Sequence, residues 1–460
     1  MSLRNLLARL TASYRSSGER VRGRVAIARA VLATVPPCSA EALEPRVLLT
    51  TIFKVDSNSD AGDYDLADGV CDVDKNTPGE QITLRAAIQN ANLTGGPSTI
   101  NFALPAASTT ISVLSDLPPI TAPVTIDGYT QSGAKRAAAS TPAQLLVALS
   151  GDFGSFAVHG CGLVVSDVTG CTISGLVIGG FPVSGIKLIG GGGHVIEGNY
   201  IGTDLTGTRS HPNRNCGIRV GGSSGNRIGG TDAGARNVIS GNEYSGVLFA
   251  SSTAEIAHNV VQGNYIGVDS TGARAMANTW RGVRITAMAG ENAHDNLIGG
   301  AAPGAGNVIS GNGWRGVGIN GSGAYNNLVQ GNLIGTDYTG TVAIPNGYSG
   351  DLSTSPDAEP QSGSGSPGGV VIDGSAGNTI GGTALGAGNV ISGNSYEGVA
   401  LVGDANHNNY VQGNLIGIDI TGTQPLGNAN QGIFIYAKPG QQVRDRYRGF
   451  GLQRCGTVVY

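Results

Sequence analysis

The sequence predicts an all-β protein, a single right-handed parallel β-helix with a short N-terminal capping helix. Glycine supplies 76 of the 460 residues, whereas charged residues make up only 13% and aromatic residues 5%. A short motif rich in asparagine and glycine recurs along most of the chain, and the apolar pieces between its turns are two to four residues long. Such pieces are too short for helices and indicate short strands joined by tight turns.

The recurring motif is a hexapeptide, N-[VL]-[VI]-[SQ]-G-N, whose copies come in pairs, and the two members of a pair begin 20 to 23 residues apart. We therefore expect a coil of about 22 residues, about fourteen coils between Val124 and Ala437, and a rod of roughly 65–70 Å. Stacked coils bury continuously what a two-residue strand cannot bury alone. The copies are Asn237–Asn242, Asn259–Asn264, Asn307–Asn312, Asn327–Asn332, Asn389–Asn394 and Asn409–Asn414, with degenerate forms at Cys171–Gly175 and His194–Asn199.

A longer period comes from the motif I-G-x-D-x-T-G, which begins at Ile201, Ile266, Ile334 and Ile416. These copies are 65, 68 and 82 residues apart, and a polar insertion at 350–368 explains the longer last interval. The repeat domain is therefore predicted over 124–437, with a loop insertion at 350–368.

The region 51–123 precedes the repeats and is predicted to form N-terminal strands and a capping helix. Between Thr83 and Asn92 apolar residues follow helical spacing, and Thr83 is suited to the N-cap. Strand-like segments at 52–55 and 99–102 flank this helix. The helix is expected to cover the open end of the solenoid. The apolar helix positions are Leu84, Ala87, Ile88 and Ala91.

Both ends differ from the repeats. Residues 1–50 begin with a basic stretch, continue through the apolar run 25–35 and then the small residues at 36–40, the order of an export signal. A disordered basic tail is the alternative. Residues 438–460 lack the repeat, and we expect residues 440–460 to be poorly packed. That segment is either a specialised cap or the result of a truncated or frameshifted gene, and the second interpretation is favoured. We expect a secreted or cell-surface protein without a membrane span.

Charge and cysteine usage narrow the function classes. The formal charge of −4 gives no reason to expect nucleic acid as a partner. None of the six cysteines forms a zinc-like spacing. Cys161 and Cys171 lie in adjacent strand-like segments, where they could form a disulfide or remain core thiols.

Three segments resemble known families. Glu41–Leu49 (EALEPRVLL) is similar to the LEPR-x-LL segment of large exported bacterial surface proteins. Gln81–Asn92 resembles their C-S-L-R-E-A-I segment, but has Gln81–Thr83 in place of Cys-Ser and Ala86 in place of Glu. Val124–Gly133 and the repeats resemble right-handed parallel β-helix proteins of the pectate-lyase-like superfamily. The resemblance implies the architecture and a cell-surface location, but it is weak for activity.

The recurrent acids are Asp204, Asp269, Asp337 and Asp419, one in each copy of the long motif. Whole repeat units separate them, which would place them about three coils or 14 Å apart and too far to share a metal. We interpret each Asp-x-Thr-Gly as an Asx-type turn.

The other candidate residues do not form a recognisable catalytic constellation. His159-Gly160 resembles the His-Gly of polygalacturonases, but the paired Asp motifs of that family are absent. Arg219 and Arg284 occupy matching strand positions, and as an outward basic pair they could meet acidic glycans, or they could be solvated strand residues. The other histidines, none of them in register, are His194, His211, His258, His294 and His407.

These observations favour a non-enzymatic, exported structural or adhesin-like protein that binds extracellular polysaccharide or a surface protein along a repetitive face. No catalytic residue, metal or cofactor is predicted. The alternative is a carbohydrate-active enzyme, a polysaccharide lyase or hydrolase, in which the insertion would supply Asp351, Asp357 and Glu359. Three acids and a basic residue converging in one groove would favour the enzyme.

Overall fold

A computed structural model describes residues 50–77, 79, 81–151, 160–250, 254–347, 367–403 and 405–436, and the backbone of strand 446–448. The export-type leader, His159, the three acids of the insertion and most of the tail after Ala437 lie outside these residues. The described chain forms three long sheets and a short fourth one, here named sheets A to D. Their strands run parallel, and the chain passes from A to B to C before it returns to A, so the fold is a right-handed parallel β-helix.

Sheet A has twelve strands and sheet B has ten. In axial order, sheet A consists of Thr51–Val55, Ser98–Phe102, Val124–Asp127, Thr172–Ser174, Val195–Glu197, Arg227–Gly229, Val260–Gln262, Leu297–Gly299, Leu328–Gln330, Thr379–Gly381, Tyr410–Gln412 and Arg446–Arg448. Sheet B consists of Thr110–Ser112, Val147–Ser150, Leu176–Gly179, Tyr200–Ile201, Val238–Ile239, Tyr265–Ile266, Val308–Ile309, Leu333–Ile334, Val390–Ile391 and Leu415–Ile416.

Sheet C has nine strands and sheet D three. Sheet C consists of Leu163–Ser166, Ile186–Ile189, Ile218–Gly221, Val247–Ala250, Val283–Thr286, Arg315–Asn320, Gly368–Asp373, Glu397–Val402 and Ile433–Ile435. Sheet D consists of Ile256–Ala257, Ala293–His294 and Ala324–Tyr325. Two 3-10 turns, Gly128–Thr130 and Ala233–Ala235, lie between strands of sheets A and B.

The predicted helix forms over Leu84–Thr94, and the hydroxyl of Thr83 accepts a hydrogen bond from the backbone N–H of Ala86 at 3.0 Å. Leu84 and Ile88 are buried in the same core as the first strands of sheet A, Thr51–Val55 and Ser98–Phe102. Those two strands, which the sequence predicts as strand-like segments, pair with each other in parallel. The helix therefore shields the apolar core at this end of the β-helix, which would otherwise meet water.

The coil is longer than the sequence predicted. On sheet B the strands that begin at Tyr200, Val238 and Tyr265 are 38 and 27 residues apart, so one 65-residue unit holds two coils and not three. Nine strands of sheet A, and not fourteen, begin between Val124 and Ala437, which gives roughly 40–45 Å of rod at about 4.8 Å per coil. The prediction of coils of about 22 residues was wrong because the same hexapeptide encloses strands of two different sheets. Asn237–Asn242 encloses a strand of sheet B, whereas Asn259–Asn264 encloses a strand of sheet A.

Aliphatic residues fill the interior, and asparagines close its corners. Ile201, Ile239 and Ile266 stack inward from successive strands of sheet B without solvent exposure. At three corners buried asparagines form columns in which each side-chain amide donates to the amide oxygen of the next coil, at 2.7–3.4 Å. Buried backbone groups at the corners are thereby satisfied. The columns are Asn199–237–264–307–332–389–414, Asn213–242–278–312–346–394–428 and Asn226–259–296–327–378–409.

Candidate functional site

The four recurrent aspartates form turns, as predicted. The Asp337 carboxylate accepts from the hydroxyl of Thr339 at 2.8 Å and from the N–H groups of Thr341 and Val342 at 3.2 and 3.1 Å. Asp204 and Asp419 accept the equivalent hydrogen bonds. Asp269 accepts from the hydroxyl and the N–H of Thr271 and from the N–H of Ala273. These bonds use the carboxylates within their own loops, which leaves little capacity for a ligand.

The loops that contain Asp204, Asp269, Asp337 and Asp419, here called the Asp loops, contact one another along the rod. The Ser270 N–H donates to the Gly207 carbonyl at 2.8 Å, and the Tyr338 N–H donates to the Gly272 carbonyl at 3.0 Å. In sheet B one strand lies between the strands that lead into successive loops, so successive aspartates are two coils apart, about 10 Å, which corrects the 14 Å expected from three coils. Together they cover a second apolar layer on the outer face of sheet B, which includes Tyr200 and Tyr265. The recurrent acids thus belong to the architecture.

Hydrogen bonding lowers the pKa of two of these carboxyl groups. For Asp419 the hydrogen bond from Thr421 is the main cause, with backbone bonds from residues 423 and 424 adding to it. For Asp204 partial burial raises the pKa, but bonds from Thr206 and from backbone groups outweigh it and the net change is downward. Both groups therefore stay ionised down to a lower pH than a free aspartate.

The cysteines and histidines lie in several separate places. Cys161, Cys171 and Cys216 are buried free thiols, so the structure has no disulfide between Cys161 and Cys171. His194 is buried in the column slot that asparagines fill in later coils, and burial lowers its pKa to about 4. Burial also raises the pKa of Cys216 to about 12, so this thiol is a poor nucleophile at neutral pH.

One ionic cluster that sequence reasoning missed lies on sheet D. The His294 ring donates or accepts at both nitrogens: Nε2 lies 2.6 Å from Glu255 Oε1, and Nδ1 lies 2.7 Å from Asp295 Oδ2. The ring stacks on Tyr325 at 4.8 Å between centroids. The imidazole fills the space between the two carboxylates, where a substrate bond would have to lie if they acted as a catalytic pair. The pairing of His294 with Glu255 could not be seen without the coil length, because 39 residues separate them.

The outer face of sheet C holds a row of basic residues. Strand register places Lys187 beside Arg219, Arg219 beside Leu248, and Leu248 beside Arg284. These side chains point outward because their strand neighbours, such as Ile186 and Leu188 around Lys187, are buried in the interior. We call Lys187, Arg219 and Arg284 the basic row. The structure thus brings the predicted pair Arg219 and Arg284 onto one face and adds Lys187 to it.

Two members of the basic row have no ionic partner among the residues that the structure describes. Lys187 and Arg219 are half-buried, and among the described residues neither makes an ion pair or a hydrogen bond. Strands of one sheet lie about 4.8 Å apart, so the Cα atoms of these two paired residues lie close together. Two cations held in this way repel each other and are incompletely solvated, and an anion between them would relieve both effects. Arg284, in contrast, donates a hydrogen bond to the hydroxyl of Tyr244.

Aromatic side chains flank the basic row at the corner of the coil that precedes sheet C. Tyr244, Trp280 and Trp314 follow one another along the rod, with centroid distances of 5.6 Å for the tilted first pair and 5.0 Å for the edge-to-face second pair. The guanidinium of Arg281 lies 4.3 Å from the Trp314 ring centroid, and that of Arg315 lies 4.1 Å from it. These three aromatic side chains are nearly buried and lie along one edge of the basic row. Both tryptophans of the chain are therefore beside it.

Metal ligands do not converge anywhere in the described chain, where no group of three His, Cys, Asp or Glu side chains is placed to hold an ion. None of the described helices is long and apolar enough to cross a membrane. The insertion at 350–368, the predicted location of an enzyme's acids, remains a prediction because 350–366 lies outside the described residues.

No protein-family model matches the chain, and no curated protein matches it. Among solved structures, the A-module of a mannuronan C-5 epimerase from Azotobacter vinelandii is similar, with a TM-score of 0.40 and 13% identity over 85% of this chain and 97% of that one. A pectate lyase has a TM-score of 0.33 and 13% identity over 87% and 80% of the two chains. A periplasmic alginate epimerase has a TM-score of 0.29 and 12% identity over 74% and 78%. Similarity this low adds nothing to the strand pairing, which by itself shows the parallel β-helix.

Proposed function

We propose that the protein is an exported β-helix that binds an acidic polysaccharide along the basic row of sheet C. The observation that supports this is the pair Lys187 and Arg219, two neighbouring half-buried cations without an ionic partner among the described residues. A polyuronate has a carboxylate on every sugar residue, so a chain lying along the rod axis presents carboxylates to successive coils. Buried or half-buried cations favour such a ligand because they are poorly solvated before it binds.

This proposal is closer to the carbohydrate-active alternative than to a passive stalk. A stalk or repetitive adhesin would present the same residues at every coil, whereas Lys187, Arg219, Leu248 and Arg284 differ from coil to coil. The basic row is therefore a local site. The exported location rests on the order of charged and apolar residues in the leader.

A catalytic form of this proposal has one supporting observation, the hydrogen bond from Arg284 to the Tyr244 hydroxyl. Arg284 orients the Tyr244 hydroxyl, and a tyrosine side chain can act as the general base that removes the proton α to a uronate carboxyl. Lys187 and Arg219 would neutralise that carboxylate and so acidify the proton. The reaction class would be β-elimination or epimerisation. Tyr244 is only 6% exposed, so we place this form second to binding.

Binding can be measured with the full chain, polygalacturonate and alginate, and a neutral galactan for comparison. Tryptophan fluorescence is a suitable readout because Trp280 and Trp314 lie beside the basic row. The double variant Lys187→Ala/Arg219→Ala should weaken polyuronate binding at least about tenfold, since each charge-assisted contact is worth roughly 1.5–3 kcal/mol. The matched control is Arg209→Ala/Arg274→Ala, which removes the same two positive charges from exposed loop positions.

Two outcomes contradict the proposal: equal losses in the control and in Lys187→Ala/Arg219→Ala, or polyuronate binding that Lys187→Ala/Arg219→Ala retains. The catalytic form has its own readouts, the ultraviolet absorbance of an unsaturated uronate product and deuterium uptake at C5. Tyr244→Phe should abolish either signal and leave binding intact. If the wild-type protein binds but gives neither signal, the protein is a binding protein without lyase or epimerase activity.

A further inference from the structure

A groove of about 360 Å³ lies at the corner between sheets A and B, away from the basic row. Its walls come from the corner loop around Arg236, from Tyr265 on sheet B and from Tyr338 in the third Asp loop. Its floor is backbone: a Cβ added at Gly304, where φ is +79°, would lie 2.1 Å from the Thr231 carbonyl oxygen. Side chains are therefore excluded from the floor, and the groove stays open between its walls.

The residues of this groove depart from the repeat. The corner loop occurs three times, as Ile228–Asn237 (IGGTDAGARN), 298–307 (IGGAAPGAGN) and 380–389 (IGGTALGAGN). Arg236 and Asp232 stand where the two later loops have glycine and alanine. Tyr338 stands where the other three Asp loops have leucine, serine and isoleucine. The fold accepts small or aliphatic residues at these positions, so the charged and aromatic ones are not required for it.

The polar groups of the groove are available to a ligand. The Arg236 guanidinium lies 4.2 Å from the Tyr265 ring centroid, and its buried Nε has no hydrogen-bond partner among the described residues. Asp232 is exposed and, within the described chain, forms no side-chain hydrogen bond. Tyr338 is 50% exposed and lines the same groove. A cation, a carboxylate and an accessible ring thus surround one opening.

From this arrangement we infer that the groove is a second carbohydrate site, one that binds a neutral pyranose unit. Sugar hydroxyls both donate and accept, so one ligand can satisfy a guanidinium and a carboxylate together. The apolar face of a pyranose ring suits the Tyr338 ring, and pockets of a few hundred cubic ångströms bind small ligands of this size. Arg236 and Asp232 have opposite charges, so the groove, unlike the basic row, has no net preference for an anion. The inference does not depend on the proposed function of sheet C.

The repeat itself supplies the variants for the test. Arg236→Gly and Tyr338→Leu introduce residues that equivalent loops already contain, so both proteins should fold with an unchanged unfolding midpoint. The probes are neutral tetrasaccharides (cellotetraose, mannotetraose and xylotetraose) and tetragalacturonate, measured by calorimetry and by ligand-observed NMR. We expect one neutral tetrasaccharide to bind, and each variant to lose at least about tenfold in affinity because a charge-assisted bond or a stacking contact is removed.

The control is Lys187→Ala/Arg219→Ala, which should leave neutral tetrasaccharide binding unchanged. The inference is overturned if no neutral tetrasaccharide binds, or if Arg236→Gly binds as tightly as the wild type. It is also overturned if tetragalacturonate binds more tightly than every neutral probe and that binding is lost in Arg236→Gly, because the groove would then be an anion site.

Discussion

At the corner between sheets A and B the same residue recurs from coil to coil, whereas on the outer face of sheet C the residues change. At the corner, asparagine occupies seven successive coils of one column without a change, from Asn199 to Asn414. On sheet C, register partners change from Lys187 to Arg219, Leu248 and Arg284 within four coils. Repetition in this chain therefore indicates a structural need, whereas a departure from the repeat on the outer face of a sheet is free of that need and is where binding residues are to be sought.

The largest expected effect is the loss of one column asparagine. Asn264→Ala removes the oxygen that accepts from Asn237 Nδ2 at 2.9 Å and the amide that donates to the Ile228 carbonyl at 2.9 Å and to Asn307 at 3.0 Å. Several buried polar groups lose their partners, so the free energy of unfolding should fall by about 3 kcal/mol or more in urea titrations. Asn292→Ala, at an exposed position, should change it by less than about 0.5 kcal/mol. Equal effects would show that the column is not structural.

A smaller, pH-dependent effect is expected at His194, which occupies an asparagine slot. Burial lowers its pKa to about 4, whereas the unfolded chain takes up this proton near pH 6.5. The wild type should therefore lose stability as the pH falls from about 6.5 towards 4, by roughly 2 kcal/mol at pH 5. His194→Asn should remove this loss, as shown by urea midpoints measured at pH 7 and pH 5. His407→Asn, at an exposed histidine, should retain it.

The Asp loops should contribute less, because they lie outside the core. Asp204→Ala removes the acceptor of the Thr206 hydroxyl at 2.8 Å and of two backbone N–H groups at 3.2 Å. By analogy with helix capping, the cost is about 1 kcal/mol at neutral pH. Since the pKa of Asp204 is lowered, this contribution is present above about pH 4 and is lost as the pH falls below it. The difference between wild type and variant should therefore vanish in unfolding experiments at acidic pH, and a constant difference would contradict the role of the carboxylate.

The smallest effect on stability is expected on sheet C. Lys187→Ala/Arg219→Ala removes two cations that repel each other and have no ionic partner among the described residues, so the free energy of unfolding should change by less than about 0.5 kcal/mol. A slight gain is consistent with the relief of repulsion, and it should disappear in high salt. A loss of more than about 1 kcal/mol would mean that these residues serve the fold and not a ligand.

The sequence predicted what repeats at short range. The helix capped by Thr83, the parallel strands and the Asp turns follow from local spacing and turn chemistry. The coil length did not follow, because the same hexapeptide flanks strands of sheets A and B. Without the coil length, Lys187 could not be placed beside Arg219, nor His294 beside Glu255. The groove could be predicted in part from the sequence, because aligning the three corner loops shows that Arg236 replaces a glycine. Only the structure places Tyr338 in the same groove.

The amides of the three asparagine columns all point the same way. In every step the Nδ2 group of one coil donates to the oxygen of the following coil, from Asn199 towards Asn414 and likewise in the other two columns. Aligned amide dipoles add along an axis, as they do in a helix. The rod is therefore electrically polar from end to end, and a polysaccharide laid along it meets two inequivalent orientations of its own reducing and non-reducing ends.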